Sequence, residues 1–469
     1  MIADLKPYAE YRESGLPWLG PVPGHWETRR TKFLFRERVQ KGFPDEPLLA
    51  ATQSKGVVRK ADYGTRTVTA TKDFHLLKLV EIGDFVISLR SFEGGIEVAH
   101  CRGIISPAYT VLAPRAEAAE GYYSRFLKSS TFISSLTLFV TGIREGQNVD
   151  YERLSRSYLP LPSPDEQAAI GRFLDWANGR LERAIRAKRK VIALLNEQKQ
   201  AIIHRAVTRG LDPSVPLKPS GIPWLGDIPQ HWEVRKLGHA IRLQTGFPFA
   251  STGFVQGESG IRLLRGINVA PSGLRWDSVV RWQRKPGDGL DEFALDIGDI
   301  ALGMDRPIIG AGVRVATVQE NDMPSLLLQR VARLRPTDKL DAKFLVLLLR
   351  GRLFRDYIAP IFTGISVPHL SPEQIKGFTV PLPALIEQQG IVSYLEAETR
   401  GLDTAISRLE REIELLREYR TRLVADVVTG KLDVRAAAAR LPEEAAPDRV
   451  EDDTDLRLDP EAADEEAAV

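Results

Sequence analysis

The sequence of 469 residues has almost no cysteine and no long apolar run. Cys101 is its single cysteine, which excludes an internal disulfide and a cysteine-cluster zinc site and fits a reducing cytosol. No stretch of about 18 apolar residues occurs, and the first residues lack the basic and apolar pattern of a signal peptide. We therefore predict a cytoplasmic protein that does not contact a membrane.

The motifs that mark common enzyme active sites are also missing. The sequence has no phosphate-binding Gly-x-x-x-x-Gly-Lys-Ser/Thr loop, no His-Glu-x-x-His, no Gly-x-Ser-x-Gly, and neither Asn-Pro-Pro-Tyr nor Asp-Pro-Pro-Tyr. Its 7 histidines are scattered, and no nucleophile stands beside a base. The sequence predicts no catalytic residue, no metal site and no cofactor bound to this chain.

The small net charge of +2 conceals a basic body and an acidic end. Residues 443–469 contain twelve Asp or Glu and two Arg, a net charge of −10, so residues 1–442 carry +12. A basic body is typical of a protein that neutralises phosphates. The acidic end has almost nothing apolar to bury, which predicts disorder.

One architecture occurs twice in the chain. The segment from Ser14 to Glu27 returns 206 residues later, from Ser220 to Glu233, with Pro-Trp-Leu-Gly and His-Trp-Glu in both copies. Three further landmarks recur in the same order, namely Ile-Gly-Asp (82–84 and 297–299), Thr-Gly-Ile (141–143 and 363–365) and Pro-Leu-Pro (160–162 and 381–383). A repeat of this length predicts two copies of one domain and a target recognised in two places.

Each copy is predicted to consist of a globule and a helix. Short β-branched segments between turns, mixed with apolar helical stretches, predict α+β globules over residues 1–160 and 213–380. Helical spacers are predicted over 161–212 and 381–434, and an acidic disordered tail over 435–469. Ser163 and Glu166 form a candidate capping box at the first helix start, and glycines follow both helix ends.

Both helical segments carry a heptad seam, with apolar residues spaced alternately by four and three. A helix from Asp165 to Val207 would span roughly 65 Å. Lys188 falls on the seam, and Lys199 and Arg420 interrupt it at equivalent positions. Because such helices are marginal alone, each is expected to pair with the other. The predicted pairing residues are Leu181, Ile185, Ile192, Leu195, Ile202, Leu402, Ile406, Leu409, Ile413, Leu416, Leu423 and Val427.

Three duplicated features occur together: the Pro-Trp-Leu-Gly…His-Trp-Glu segments, the Pro-Leu-Pro…Glu-Gln helix starts (160–167 and 381–388) and the paired heptad helices. On these features the chain resembles a type I restriction-modification specificity subunit. The resemblance covers about residues 5–435 and implies two pseudo-symmetric target-recognition domains separated by two long antiparallel coiled-coil helices. The acidic tail falls outside it.

The resemblance also implies what such a chain does. Each globule would recognise one half of a bipartite sequence in double-stranded DNA, while the helices set the spacing and dock methyltransferase subunits, two of them expected. The chain itself would be non-catalytic. S-adenosylmethionine, ATP and Mg would belong to the methyltransferase subunits and to the restriction (motor and nuclease) subunits.

Candidate DNA-binding residues come from loops that differ between the copies, because the two halves of a target normally differ. Arginine can bind guanine or phosphate, and amides can pair with adenine. The candidates are Arg90, Arg144, Gln147, Asn148, Arg265, Asn268 and Arg306. The repeated Trp18 and Trp224 segments are interpreted as closing each globule onto its helix.

Two alternatives remain open on the sequence alone. The chain could be a self-contained DNA methyltransferase or nuclease with divergent motifs, or a coiled-coil scaffold that does not bind DNA. The sequence leaves undetermined the DNA target, the gap between half-sites and the role of the tail.

Overall fold

A computed structural model describes residues 5–63, 73–141, 148–255, 257–310, 312–362 and 368–442. They divide into two compact units. The first contains the residues up to 189 together with those from 409 onward, and the second contains residues 190–408. Arg144 and Gln147 lie outside the described residues, as do the other residues of 142–147, the segment 363–367 that contains the second Thr-Gly-Ile landmark, and residues 443–469.

The first unit is built around a four-stranded antiparallel sheet. Its strand order is Phe35–Glu37, Thr110–Pro114, Phe85–Ile87 and Glu97–Val98. The remaining strands are short and form two-stranded sheets: Tyr11–Glu13, Pro21–Pro23, Glu27–Arg30, Leu49–Thr52, Gly56–Arg59, Lys78–Val80, Gly103–Ile105, Val140–Thr141, Asn148–Val149 and Tyr158–Leu161. The short helices are Thr31–Leu34, Ser91–Gly94, Glu120–Phe126, Ser130–Leu136, Tyr151–Arg156 and Arg435–Ala438.

The second unit repeats this design. Its four-stranded antiparallel sheet has the order Ile241–Thr245, Val331–Pro336, Ile300–Gly303 and Val315–Thr317. Its other strands are Leu217–Pro219, Asp227–Pro229, Glu233–Lys236, Ile261–Leu264, Val269–Ala270, Gly273–Leu274, Arg281–Trp282, Ile308–Ile309, Gly312–Val313, Ser325–Leu327 and Thr379–Leu382. Its short helices are Ala342–Arg350, Arg352–Ile358 and Pro372–Gly377.

Two long helices contribute to both units. The first long helix is Pro164–Arg209 and the second long helix is Leu385–Val428. The glycines expected to end them, Gly210 and Gly430, have φ angles of 71° and 77°, a region that only glycine adopts readily. The α+β fold class and the two long helices are as predicted.

Each unit has its own main hydrophobic core, built from a globule and one end of each long helix. In the first core, Trp26 and Tyr122 pack with Ile170 at the start of the first long helix and Val427 at the end of the second. The second core likewise joins Trp232 to Ile203 and Ile391 of the two long helices, with the apolar helix Ala342–Arg350 beside them. No helix within the described residues is long and apolar enough to cross a membrane.

Candidate nucleic-acid interface

A glutamate fixes each globule to the start of a long helix, Glu166 buried in the first unit and Glu387 half-buried in the second. Glu166 Oε2 lies 2.8 Å from His25 Nε2, and Tyr8 donates a hydrogen bond to Glu166 Oε1 at 2.6 Å. Burial, followed by the bond to Glu166, raises the pKa of the Tyr8 hydroxyl well above its usual range. The carboxylate proposed for a local capping box therefore binds residues 141 and 158 positions away. Ser163 Oγ does accept from the Glu166 backbone N–H, at 3.4 Å.

The second unit repeats the contact with one change. Glu387 Oε2 lies 2.9 Å from His231 Nε2, while Trp232 Nε1 donates to Glu387 Oε1 at 2.9 Å. In the first unit Tyr8 takes the second oxygen, and Trp26 Nε1 has no partner among the described residues. The repeated histidine thus bonds the helix glutamate in both units, whereas the second bond comes from Tyr8 in the first unit and Trp232 in the second.

The glutamine that follows each glutamate makes a second connection. Gln388 is fully buried; its amide donates to the carbonyls of Pro383 and Lys339, both at 2.9 Å, and accepts from the Asp341 N–H at 2.8 Å. Gln167 makes the equivalent three bonds in the first unit, all at 3.0 Å. The Glu-Gln pair at each helix start is therefore a duplicated anchor, and it orients the whole globule.

The other repeated tryptophans also pack inside their units. Trp18 lies 6.3 Å from Phe126 and 6.1 Å from Phe132, and Trp224 lies 5.4 Å from Tyr357, measured between ring centroids. These contacts are with residues of the globule itself, so the closing of each globule onto its helix stays an interpretation.

The aspartate of each Ile-Gly-Asp landmark stabilises a turn rather than contributing to the surface. Asp84 accepts two hydrogen bonds from the Arg38 guanidinium, at 2.7 and 3.1 Å, and one from the Glu81 N–H at 2.8 Å. In the second unit Asp299 is bonded in the same way to Arg335 and to the Asp296 N–H. Both carboxylates are buried, so the landmark fixes the strand that precedes the candidate loops.

The described candidates in the first globule are both on its surface. Arg90 is exposed and directly precedes the helix Ser91–Gly94. Asn148 is exposed in a short strand that pairs with Val140–Thr141.

In the second globule the candidates Arg265 and Asn268 maintain the shape of their own loop. The Arg265 guanidinium donates to the Ser278 carbonyl at 2.8 Å and to its hydroxyl at 2.6 Å, and burial lowers its pKa. Asn268 is 2% exposed; its amide accepts from the Arg265 N–H and donates to the carbonyls of Arg275 and Ser278. The Asn268 amide is therefore fully used inside the protein and is not available for an adenine edge in this conformation.

Arg306 lies in a group of four loops, residues 265–268, 304–306, 328–330 and 368–370, which we call the four-loop cluster. Arg314 joins two of these loops, because its guanidinium donates to the carbonyls of Gly266 and Asp305. The Arg306 N–H donates to the Pro368 carbonyl at 2.7 Å, and the Met304 N–H to the Arg330 carbonyl at 2.9 Å. The cluster thus brings together residues up to about 100 positions apart.

Sequence reasoning missed two members of this cluster, the exposed Arg330 and the half-buried His369. Arg330 follows the strand Ser325–Leu327 and His369 follows the second Thr-Gly-Ile landmark. A usable signal did exist for Arg330, since it occupies a turn between strands at which the two copies differ.

All twelve predicted pairing residues are buried or half-buried. Leu181, Ile185, Ile406, Ile413, Leu423 and Val427 are buried, and the other six are half-buried. Leu423 and Val427 belong to the first core, and Ile202 packs against the second. The seam therefore continues at its ends into the globules.

The charged residues on the seam all have acidic partners on the facing helix. Lys188 Nζ lies 2.5 Å from Glu412 Oε2 and Arg420 pairs with Glu182 in the first unit, while Lys199 pairs with Asp403 in the second. Residue numbers rise on one helix as they fall on the other, so the pairing is antiparallel. Charges at seam positions specify register more than they stabilise.

No group of His, Cys, Asp and Glu within the described ranges could hold a metal ion. What each globule does offer is a rigid sheet, an anchor to the helix start and exposed arginine-bearing loops.

Comparisons with known proteins agree with this architecture. Residues 240–415 match the family model of the type I restriction modification DNA specificity domain. The type I restriction enzyme MjaVIII specificity subunit of Methanocaldococcus jannaschii is 29% identical over 342 residues, covering 71% of this chain and 75% of the relative. The EcoAI specificity subunit of Escherichia coli is 28% identical over 208 residues, covering 44% of this chain and 34% of the relative.

A solved structure, described as concerning complex assembly and conformational transition of the type I R-M system, has the same fold. Its TM-score is 0.58 at 15% identity, covering 88% of this chain and 99% of the other.

The solved structure shares the fold of duplicated α+β globules on long helices, and the match to the DNA specificity domain supports a role in DNA sequence specificity. The chain is a relative of the type I restriction-modification specificity subunits, as its sequence predicted.

Proposed function

We propose that this chain is the non-catalytic specificity subunit of a type I restriction-modification complex. Each globule recognises one half of a bipartite target in double-stranded DNA, the first with residues 1–160 and the second with residues 213–380. The helical segments 161–212 and 381–434 set the gap between the half-sites. The duplicated Glu-Gln anchor is the observation that carries this proposal, because it fixes a globule to each long helix.

The DNA contacts are proposed to come from the surface loops of each globule. Arg90 and Asn148 are the exposed candidates in the first globule, and Arg306 is the exposed candidate in the second. Arginine recognises guanine with two hydrogen bonds or binds phosphate, and amides pair with adenine. Arg265 and Asn268 act by shaping the loop from which such contacts are made.

The partners are those that the similarity to type I specificity subunits implies. Methylation requires methyltransferase subunits, two of which we expect to dock on the helices, and cleavage requires restriction subunits. S-adenosylmethionine, ATP and Mg are expected on those subunits. A cytoplasmic location fits a DNA substrate inside the cell.

Sequencing of methylated adenines in a host with and without the gene tests the proposal. Loss of one bipartite motif is expected when the gene is deleted. An unchanged pattern of methylation would contradict the assignment.

Two binding measurements separate the alternatives. Tight binding of S-adenosylmethionine by the isolated chain would favour a self-contained enzyme. A specificity subunit should bind duplex DNA with an affinity that falls steeply as salt rises, because counterions are released on binding, whereas a scaffold should show no such slope.

A further inference from the structure

Two arginines of the four-loop cluster have an unusual backbone. Arg306 and Arg330 have φ angles of 43° and 71°, in the left-handed region that costs about 1–2 kcal/mol for a residue with a side chain. Both are exposed. Strained residues of this kind persist where the surrounding structure holds them, and they concentrate at functional sites.

Arg330 forms an ion pair with Asp305 on another loop, and His369 lies beside both. Its Nη1 atom lies 3.3 Å from His369 Nδ1 and 3.5 Å from Asp305 Oδ1. His369 Nδ1 and Asp305 Oδ1 are themselves 2.6 Å apart. The Nη1 side of the guanidinium therefore faces the Asp305 carboxylate and the His369 imidazole, which lie on loops 304–306 and 368–370.

The other side of the same guanidinium is available. Across the described part of the chain, Arg330 Nε and Nη2 have no hydrogen-bond partner, and the side chain is 56% exposed. These two atoms form one edge of the planar fork, the geometry that matches O6 and N7 of guanine. Holding Nη1 reduces the entropy that would be lost on binding.

The first globule has no arginine at the equivalent place. Leu302 pairs with Ala332 in the second sheet, and Ile87 pairs with Thr110 in the first. Ile87 and Leu302 each lie three residues after the aspartate of an Ile-Gly-Asp landmark, so they occupy equivalent positions. Arg330 lies two residues before Ala332, the strand partner of Leu302. The residue two positions before Thr110, the partner of Ile87, is Ala108. Arg330 is thus a difference between two otherwise matched sheets.

We propose that Arg330 determines specificity by recognising a guanine in the half-site bound by the second globule. Asp305, which accepts a hydrogen bond from His369, positions the guanidinium, and Nε and Nη2 donate to N7 and O6. This inference rests on the proposed function, and it adds a prediction about the target: the second half-site contains a G·C pair whose major-groove edge meets Arg330.

The test uses the complete complex in a host whose methylated motif is sequenced. Arg330→Asn is the main variant because asparagine tolerates a left-handed backbone, and Arg330→Lys retains the charge without the fork. We expect both to relax or change one G·C position in the second half-site and to leave the first half-site and the gap unchanged. Arg352→Ala removes another exposed arginine, ion-paired with Asp356 on a helix of the same unit, and should leave the motif unchanged.

A binding experiment separates recognition from folding. Replacing the target guanine with 7-deazaguanine removes N7 and retains base pairing. It should weaken binding of the unmodified complex on the order of 10-fold, within the range of a good bidentate contact, and should have little effect on Arg330→Asn.

Three outcomes would overturn the proposal. They are a wild-type second half-site without a G·C pair, an Arg330→Asn complex with an unchanged motif, and equal sensitivity of both complexes to 7-deazaguanine. Each leaves the specificity-subunit assignment standing. Absence of any bipartite motif in the wild-type host would instead refute the assignment itself.

Discussion

At the scale of single residues, the repeated polar side chains connect each globule to a long helix. DNA recognition is left to the residues that differ between the two copies. Glu166, Gln167, Glu387 and Gln388 are placed at helix starts, where the sequence suggested local capping for Glu166. The structure joins them to globule residues far away in the chain. The same Glu-Gln pair therefore occurs in both copies because in each it anchors a globule to a helix start.

Gln388→Ala is expected to destabilise the second unit. The change leaves the Pro383 and Lys339 carbonyls and the Asp341 N–H without their buried partner, at a cost of about 1–3 kcal/mol for each group left unsatisfied. Thermal unfolding of the full chain measures the effect. Gln198→Ala, on an exposed helix position of the same unit, should change the free energy of unfolding by less than about 0.5 kcal/mol. Equal effects of the two changes would contradict the anchoring role.

Gly430→Ala is expected to destabilise the first unit by at least about 2 kcal/mol, from backbone strain and overpacking. The φ angle is 77°, and an added Cβ would lie 2.4 Å from Pro23 Cδ. Gly390→Ala is the matched control, since nothing lies within 4 Å of its added Cβ. There alanine should stabilise the helix by about 0.5–1 kcal/mol. Denaturant unfolding should therefore shift in opposite directions for the two variants.

At the scale of elements, the long helices follow closely from their sequence because a heptad pattern is local information. Their seam, their glycine ends and the charged interruptions were all visible in the chain. What the pattern did not provide was a partner for each charge. Lys188, Lys199 and Arg420 find theirs on the facing helix only when the pairing is antiparallel and in one register.

Removing one heptad from each helix, residues 188–194 with 409–415, should shorten the preferred gap and leave both half-sites unchanged. The deletion keeps Lys199 opposite Asp403 and Arg420 opposite Glu182. One heptad is about 10.5 Å, which corresponds to about three base pairs. Sequencing of the methylated motif measures the new gap.

Deleting residues 188–194 alone is the control for register. It would displace the two remaining ion pairs and the apolar seam by seven residues, so loss of stability is expected instead of a new gap. Changed half-sites in the double deletion would show that the helices recognise DNA themselves.

At the scale of the whole molecule, charge is divided between a basic body and an acidic end. Residues 443–469 carry −10 of the charge and the remaining residues +12. Such long-range fields affect association with DNA more than they affect the fold.

Deletion of residues 443–469 should raise the affinity for duplex DNA at low salt, and the difference should disappear as salt rises, because screening shortens the range of the repulsion. Titrations of a labelled duplex at several salt concentrations measure both effects. A full-length variant with the acidic residues changed to Asn and Gln separates charge from length and should behave like the deletion. Equal affinities for all three chains at low salt would show that the end has no electrostatic role.

The sequence by itself determined the duplication, the α+β class, the two long helices and the family resemblance, because repeats, periodicity and turn residues are properties of neighbouring positions. Only the tertiary structure decided that Asn268 is a buried loop residue and that Arg330, Asp305 and His369 meet. These contacts join loops that approach one another only after the sheet of the second unit has formed. Local patterns determine elements, whereas a surface for recognition is built from residues that the fold brings together.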